Sequence, residues 1–163
     1  MKVIIEWCDW TWKTYLSNYI SNKTWMPILK FWHHNSKNYI KDFNRYYKIN
    51  NIILDRSWLS EIIYSKIKKR NTTLKNIEKM ISLTWEFIYI ICTTDIDNIN
   101  KVFNERWEDF IDINEAILIN KEYLEFIEKY KYKLNIIVYD YTKDWNNLEN
   151  LLILLKNKKW ITQ

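Results

Sequence analysis

Lys13 and Thr14 close the segment Glu6-Trp7-Cys8-Asp9-Trp10-Thr11-Trp12-Lys13-Thr14, which lies between an apolar run, Val3-Ile4-Ile5, and a helical pattern, Tyr15-Leu16-Ser17-Asn18-Tyr19-Ile20. A lysine and a hydroxyl residue at the start of a helix that follows a strand suit a polyphosphate. Such a ligand needs backbone N–H groups converging from a tight turn, the amino end of a helix pointing at it, and one mobile cation. With glycine at positions 7, 10 and 12 the segment would read G-x-x-x-x-G-K-S/T from position 7 to Thr14, in the form G-x-D-G-x-G-K-T. Lys13 would then supply the cation, Thr14 a hydroxyl for Mg²⁺, and the segment Trp7, Asp9, Trp10, Thr11 and Trp12 the cradle for ATP. As written, each of the three glycine positions holds tryptophan.

The substitution extends along the chain. A protein of 163 residues carries about eleven glycines at ordinary usage, whereas this one has 0 Gly and 10 Trp. The tryptophans fall at turn positions: the loop itself, Lys23-Thr24-Trp25 after the first helix, Lys143-Asp144-Trp145-Asn146 before the last, and Lys158-Lys159-Trp160 near the end. Those are places where glycine's freedom at positive φ is useful and an indole is not. Ile, Lys, Asn and Tyr dominate the composition, as in an AT-rich coding sequence, and some lineages read UGA as glycine where other codes read tryptophan. The ten tryptophans therefore read as glycines rendered through the wrong table. Trp58, in Asp55-Arg56-Ser57-Trp58-Leu59-Ser60, is the position most acceptable as a true tryptophan, because it lies in an apolar helical pattern. The competing reading is a Trp-rich protein whose indoles form a core or a stacking surface. Three literal indoles in the loop would block backbone approach and forbid positive φ, so the chain as written is expected to bind ATP poorly or not at all.

Asp55 and Arg56 follow the third strand pattern, beside the loop. A carboxylate there can hold magnesium through water or accept a proton, and a guanidinium can grip a phosphate with its planar fork. An isolated Asp-Arg pair is commonly a surface ion pair; its location is what raises the functional reading. Arg106, followed by Trp107-Glu108-Asp109, lies where a helix gives way to a loop, as a lid arginine or as a solvated helix end, and the residues alone slightly favour the latter. His33 and His34 have no partner at metal spacing.

The elements that must position these groups alternate. Strands are expected at Lys2–Ile5, Pro27–Phe31, Asn51–Leu54, Phe87–Cys92 and Ile136–Tyr139. Helices are expected at Lys13–Ser21, Asn35–Tyr47, Ser57–Lys69, Thr72–Leu83 with a Thr cap, Thr94–Arg106, Asp112–Tyr130 and Leu148–Leu155. Near-continuous apolar strands alternating with helices predict an α/β fold: a doubly wound three-layer sandwich with a five-stranded parallel sheet, binding ligands at the carboxyl ends of the strands. The length predicts one domain, 1–163, with the phosphate loop at 7–14 and a lid at 106–114.

The formal charge of +5, with 48% hydrophobic and 28% charged residues, describes a globular chain. Its positive excess is spread out, which suits a small polyanionic substrate and is too weak to argue for nucleic acid. Cys8 and Cys92 form no C-x-x-C pair, no secretory signal opens the chain, and the apolar runs are too short to span a bilayer. A cytoplasmic location without membrane association is expected. A homodimer is compatible with the sequence.

With glycines restored, Val3–Ser17 resembles the opening of the thymidylate kinase-like nucleotide kinases, whose loop reads G-x-D-G-x-G-K-S/T. Asp55-Arg56 resembles the family's Asp-Arg after the third strand, Ser60 and Tyr64 the Ser and Tyr that follow it, Arg106 with Asp109 the start of its lid, and Tyr123-Leu124 a pattern in its long helix. The resemblance covers most of the chain; the loop is specific and the rest modest. It implies ATP-dependent phosphorylation of a deoxynucleoside monophosphate. Lys13 and Thr14 would act on ATP and magnesium, Asp9 on the acceptor's sugar hydroxyl, Asp55 on magnesium or the proton, and Arg56 on the acceptor phosphate, with Arg106 neutralising charge during transfer. The chain is shorter than typical members, Lys30-Phe31-Trp32-His33-His34 replaces the family's Arg-Glu-Pro-Gly-like segment, and Phe110 stands where a lid arginine is expected. These departures leave room for another deoxynucleotide or an unphosphorylated nucleoside. A non-catalytic Trp-rich binding protein and a nucleotide-binding switch are the alternatives from other classes.

Overall fold

The computed structural model describes residues 1–7, 12–30, 45–46, 48–72, 76–105, 111–140, 142–143 and 147–159. Its elements run β1 (Lys2–Trp7), α1 (Trp12–Thr24), β2 (Ile28–Lys30), β3 (Ile52–Asp55), α2 (Trp58–Ile67), α3 (Ile77–Thr84), β4 (Ile88–Thr93), α4 (Ile96–Glu105), α5 (Ile113–Tyr130), β5 (Asn135–Asp140) and α6 (Leu148–Lys159). The strands form one parallel sheet in the order β2-β3-β1-β4-β5. This is the doubly wound α/β sandwich that the alternating pattern predicts. Parallel strands in such a sheet are covered on both faces, which is why β3 and β4 are buried along their whole length and read as unbroken apolar runs. The edge strand β5 leaves Val138 exposed.

The connection leaving β1 leads toward β2 on one side of the sheet, and the one leaving β4 leads toward β5 on the other. Connections that diverge from adjacent strands open a crevice at their carboxyl ends, the usual ligand position in this architecture. The carboxyl end of β1, at Trp7, therefore lies at that crevice.

Several boundaries differ from the sequence reading. β1 extends two residues further, through Glu6 and Trp7, with Glu6 paired to Ile91 and Trp7 to Cys92. A glutamate inside a strand normally argues for its end; here the carboxylate is fully buried and supplied with hydroxyl donors, as described below. The cap of α3 is Asn76, whose side chain accepts from the Lys79 N–H at 2.9 Å, in place of the Thr72 cap expected. Asn and Thr compete for the same role, and a cap of either kind is worth about 1 kcal/mol. α5 begins as expected at Asp112, which forms a reciprocal capping box with Glu115. The expected helix at 35–47 lies, except for Arg45 and Tyr46, outside the described residues.

Two tryptophans have distinct local structures. Trp25 ends α1 in the left-handed region, with φ 58, its N–H bonded to the Ser21 carbonyl at 2.7 Å and its side chain 92% exposed. Trp58 begins α2 with no exposure, its Nε1–H donating to the Tyr89 hydroxyl at 3.2 Å and its ring edge-on to Phe126 at 6.0 Å. Among the described residues no helix is long and apolar enough to cross a membrane.

Candidate active site

β1 and β3 are paired in register, Ile5 opposite Asp55, so both strands deliver their last residues to the same edge of the sheet. Asp55 is buried there. The next residue, Arg56, takes a left-handed conformation with φ 71, and its N–H donates to the Ile5 carbonyl at 2.9 Å. A non-glycine residue held in that region costs about 1–2 kcal/mol, so surrounding bonds must fix it. They come from α2. Ser57 caps the helix, its Oγ accepting from the Leu59 N–H at 3.3 Å, and the same hydroxyl donates to Glu6 Oε1.

Ser57, Ser60 and Tyr64 are spaced three and four apart and share one face of α2. Ser60 donates to Glu6 Oε2, and Tyr123 of α5 donates to the same oxygen at 3.1 Å. Tyr64 places its ring under the Arg56 guanidinium, 5.0 Å from carbon to centroid. One carboxylate on the strand that feeds the loop thus collects hydroxyls from two helices. Burial pushes the Glu6 carboxyl above its ordinary value, while the bonds from Ser57 and Ser60, the charge of Arg56 and the bond from Tyr123 pull it back. Burial also opposes the charge of Arg56, but Tyr64, Tyr123 and Glu6 outweigh it and hold the guanidinium above its usual pKa. Arg56 therefore stands as a fixed cation at the carboxyl edge of the sheet, suited to an anionic group.

Of the residues singled out in sequence, Trp7 closes β1 with its side chain buried, Trp12 opens α1, Lys13 follows in the first turn, and Thr14 is exposed one residue later. Asp9, Trp10 and Thr11 lie outside the described residues, as do Arg106 and the rest of 106–110. His33 and His34 lie outside them too. The structure therefore brings the start of α1, Asp55, Arg56, Ser60, Tyr64 and Tyr123 into the neighbourhood of the β1 exit. Glu6 and Ser57 were missed in sequence, although a lone carboxylate inside an apolar strand run is the signal that could have found the first. Asn120 was missed as well: its side-chain amide donates to the Thr94 carbonyl at 2.9 Å and accepts from the Thr94 N–H at 3.4 Å, bracing the end of β4.

Thr14 and Asp55 carry hard oxygen donors of the type magnesium takes, and they would hold it together with waters and substrate phosphates. Among the described residues no group of three His, Cys, Asp or Glu could hold a metal ion.

No family model matches the chain, and no curated protein does. Solved structures do. The chain is similar to the YorR protein of Bacillus subtilis, solved in complex with phosphorylated GDP, at 18% identity over 96% of each chain with a TM-score of 0.79. It is similar to the deoxyadenosine kinase of M. mycoides, solved with bound dATP, at 19% identity over 96% of this chain and 100% of that one with a TM-score of 0.66. A gluconokinase from Sinorhizobium meliloti follows at 11% identity and a TM-score of 0.54, over 99% of this chain and 95% of that one. At these identities the likeness speaks for architecture alone, a five-stranded parallel sheet sandwiched between helices.

Proposed function

We propose that the chain, with glycine at positions 7, 10 and 12, is a P-loop nucleotide kinase transferring the γ-phosphoryl group of ATP to a deoxynucleoside monophosphate, in the manner of the thymidylate kinases. The observation that carries this reading is the meeting of two elements at one edge: β1 runs into α1, whose first turn holds Lys13 and Thr14, beside the β3 end that presents Asp55 and Arg56. The likeness to structures of nucleotide-bound proteins supports it.

In this reading the backbone of 7–12 and the amino end of α1 cradle the polyphosphate, and Lys13 follows the transferring oxygens. Thr14 and Asp55 hold magnesium, which supplies charge neutralisation between the phosphates. Asp9 meets the acceptor's sugar hydroxyl, Arg56 grips its phosphate, and Arg106, in a lid at 106–114, covers the site. Catalysis is then mainly positioning and stabilisation of charge during in-line transfer. The working unit is a single domain, 1–163, placed in the cytoplasm.

Deoxynucleoside phosphorylation is the second reading. It is favoured by the likeness to a deoxyadenosine kinase and by the segment Lys30-Phe31-Trp32-His33-His34, which departs from the monophosphate kinases at the acceptor side. ADP release measured against a panel of deoxynucleoside monophosphates and nucleosides separates the two. Saturation by dTMP or another monophosphate supports the first; saturation by a nucleoside but not by its monophosphate selects the second.

A further inference from the structure

We propose that Glu6 is a positioning residue for Arg56, acting through Ser57, Ser60 and Tyr123 to fix the turn that aims the guanidinium at the acceptor's phosphate. The inference deepens the kinase reading and rests on it. Glu6 lies on β1, directly before the segment that would carry the polyphosphate, yet its carboxylate faces the acceptor side. Oε1 accepts from Ser57, the residue after Arg56, and Oε2 accepts from Ser60, one turn further along α2. Tyr123 reaches Oε2 from α5 at 3.1 Å and lies 3.0 Å from the Ser60 hydroxyl, closing the cluster.

The turn needs such support. Arg56 is left-handed at φ 71 and is tied to β1 by its backbone N–H on the Ile5 carbonyl, at 2.9 Å. The residue after each of these provides the second tie, Glu6 of β1 with the helix cap Ser57. Two adjacent attachments prevent the turn from rotating about either one. Tyr64 then sets the guanidinium from below, 5.0 Å from its ring centroid. A buried carboxylate is costly to keep unless hydrogen-bond donors surround it, as Ser57, Ser60 and Tyr123 do here. Retention of Glu6 at a fully buried position, with its three hydroxyl donors gathered at the site rather than in the distant core, is accounted for by the placement of Arg56. Glu6 itself would touch neither substrate.

The test uses the full chain carrying Trp7→Gly, Trp10→Gly and Trp12→Gly, compared with the same chain bearing Glu6→Gln. Glutamine keeps the shape but removes one acceptor oxygen and the charge. The expected result is a rise of about tenfold in KM for the monophosphate, the scale of one lost hydrogen bond to a charged group. KM for ATP stays within about twofold and kcat falls less than the acceptor KM rises, as when binding of one substrate is lost. A single cooperative thermal transition shows that the variant is folded. Tyr123→Phe, which removes one of the three donors and keeps the ring, shows the same selective rise at smaller amplitude and reads the proposal should Glu6→Gln fail to fold. An unchanged acceptor KM in the variants, or ATP and acceptor KM rising together, overturns the role of Glu6 while leaving a kinase. Absence of acceptor-dependent turnover in the parent overturns the kinase reading and this role with it.

Discussion

Trp25 projects into solvent from a left-handed backbone at the end of α1, whereas Trp58 is sealed in the core at the start of α2, its indole bonded to Tyr89 and packed on Phe126. Position 25 uses the backbone of its residue and nothing of the side chain. A bond from its N–H to the Ser21 carbonyl at positive φ is how helices commonly end on glycine. Position 58 uses all of its side chain. The hydrogen bond passes on from Tyr89 to the Thr84 hydroxyl at 2.5 Å and from there to the Met80 carbonyl at 2.7 Å, so the indole anchors a buried relay between α2, β4 and α3. One letter of the sequence thus occupies two physical settings, a left-handed backbone with an exposed side chain at 25 and a sealed, hydrogen-bonded indole at 58. The account expects UGA at codon 25 and UGG at codon 58.

Trp58→Gly is expected to cost about 3–5 kcal/mol through lost packing and the cavity left behind, with roughly 1 kcal/mol more for glycine in a helix, measured by urea unfolding. A loss below about 1 kcal/mol would place position 58 with position 25. Next in size, Arg56→Lys in the loop-restored chain is expected to raise the acceptor KM about tenfold, because a point charge on a flexible stem does not reproduce the fork. Equal saturation curves for both chains would return the Asp55-Arg56 pair to a structural role. Trp25→Gly is expected to stabilise the chain by about 1–2 kcal/mol, the strain of a left-handed non-glycine residue, seen as a higher urea midpoint. A loss of stability there would show that the exposed indole has a function.

The smallest expected effect concerns pH. Burial raises the Glu6 carboxyl in the folded chain above its value of 4.5 in the unfolded one, against the pull of Ser57, Ser60, Arg56 and Tyr123. Its folded form therefore holds the proton more tightly, so this group's contribution to stability is full below pH 4.5 and is lost as pH rises through the higher folded value. The stability of the parent minus that of Glu6→Gln is expected to rise as pH falls from neutral toward 4.5. A flat difference would mean that the hydroxyl donors fully offset burial.

The strand–helix alternation made the fold legible, because β3 and β4 are buried on both faces and leave unbroken apolar runs in the sequence. The sequence also singled out Asp55, Arg56, Ser60, Tyr64 and Tyr123, the last three only through family resemblance, and the fold brings them to one edge of the sheet. Glu6 was marked in sequence only as a carboxylate closing an apolar run, since the hydroxyls that define its setting are 51, 54 and 117 positions away and meet it only in three dimensions. The Asn76 cap was hidden because Thr72 offered an equally plausible start.

The most direct test of the central claim is acceptor-dependent ADP release by the chain carrying Trp7→Gly, Trp10→Gly and Trp12→Gly with Trp58 retained, beside the literal chain and a Lys13→Ala version of the restored one. The account predicts turnover in the restored chain at least about 100-fold above both others, the scale at which misplaced groups lose catalysis. Equal turnover by the literal chain, or none by the restored chain with any nucleotide or nucleoside, would contradict it.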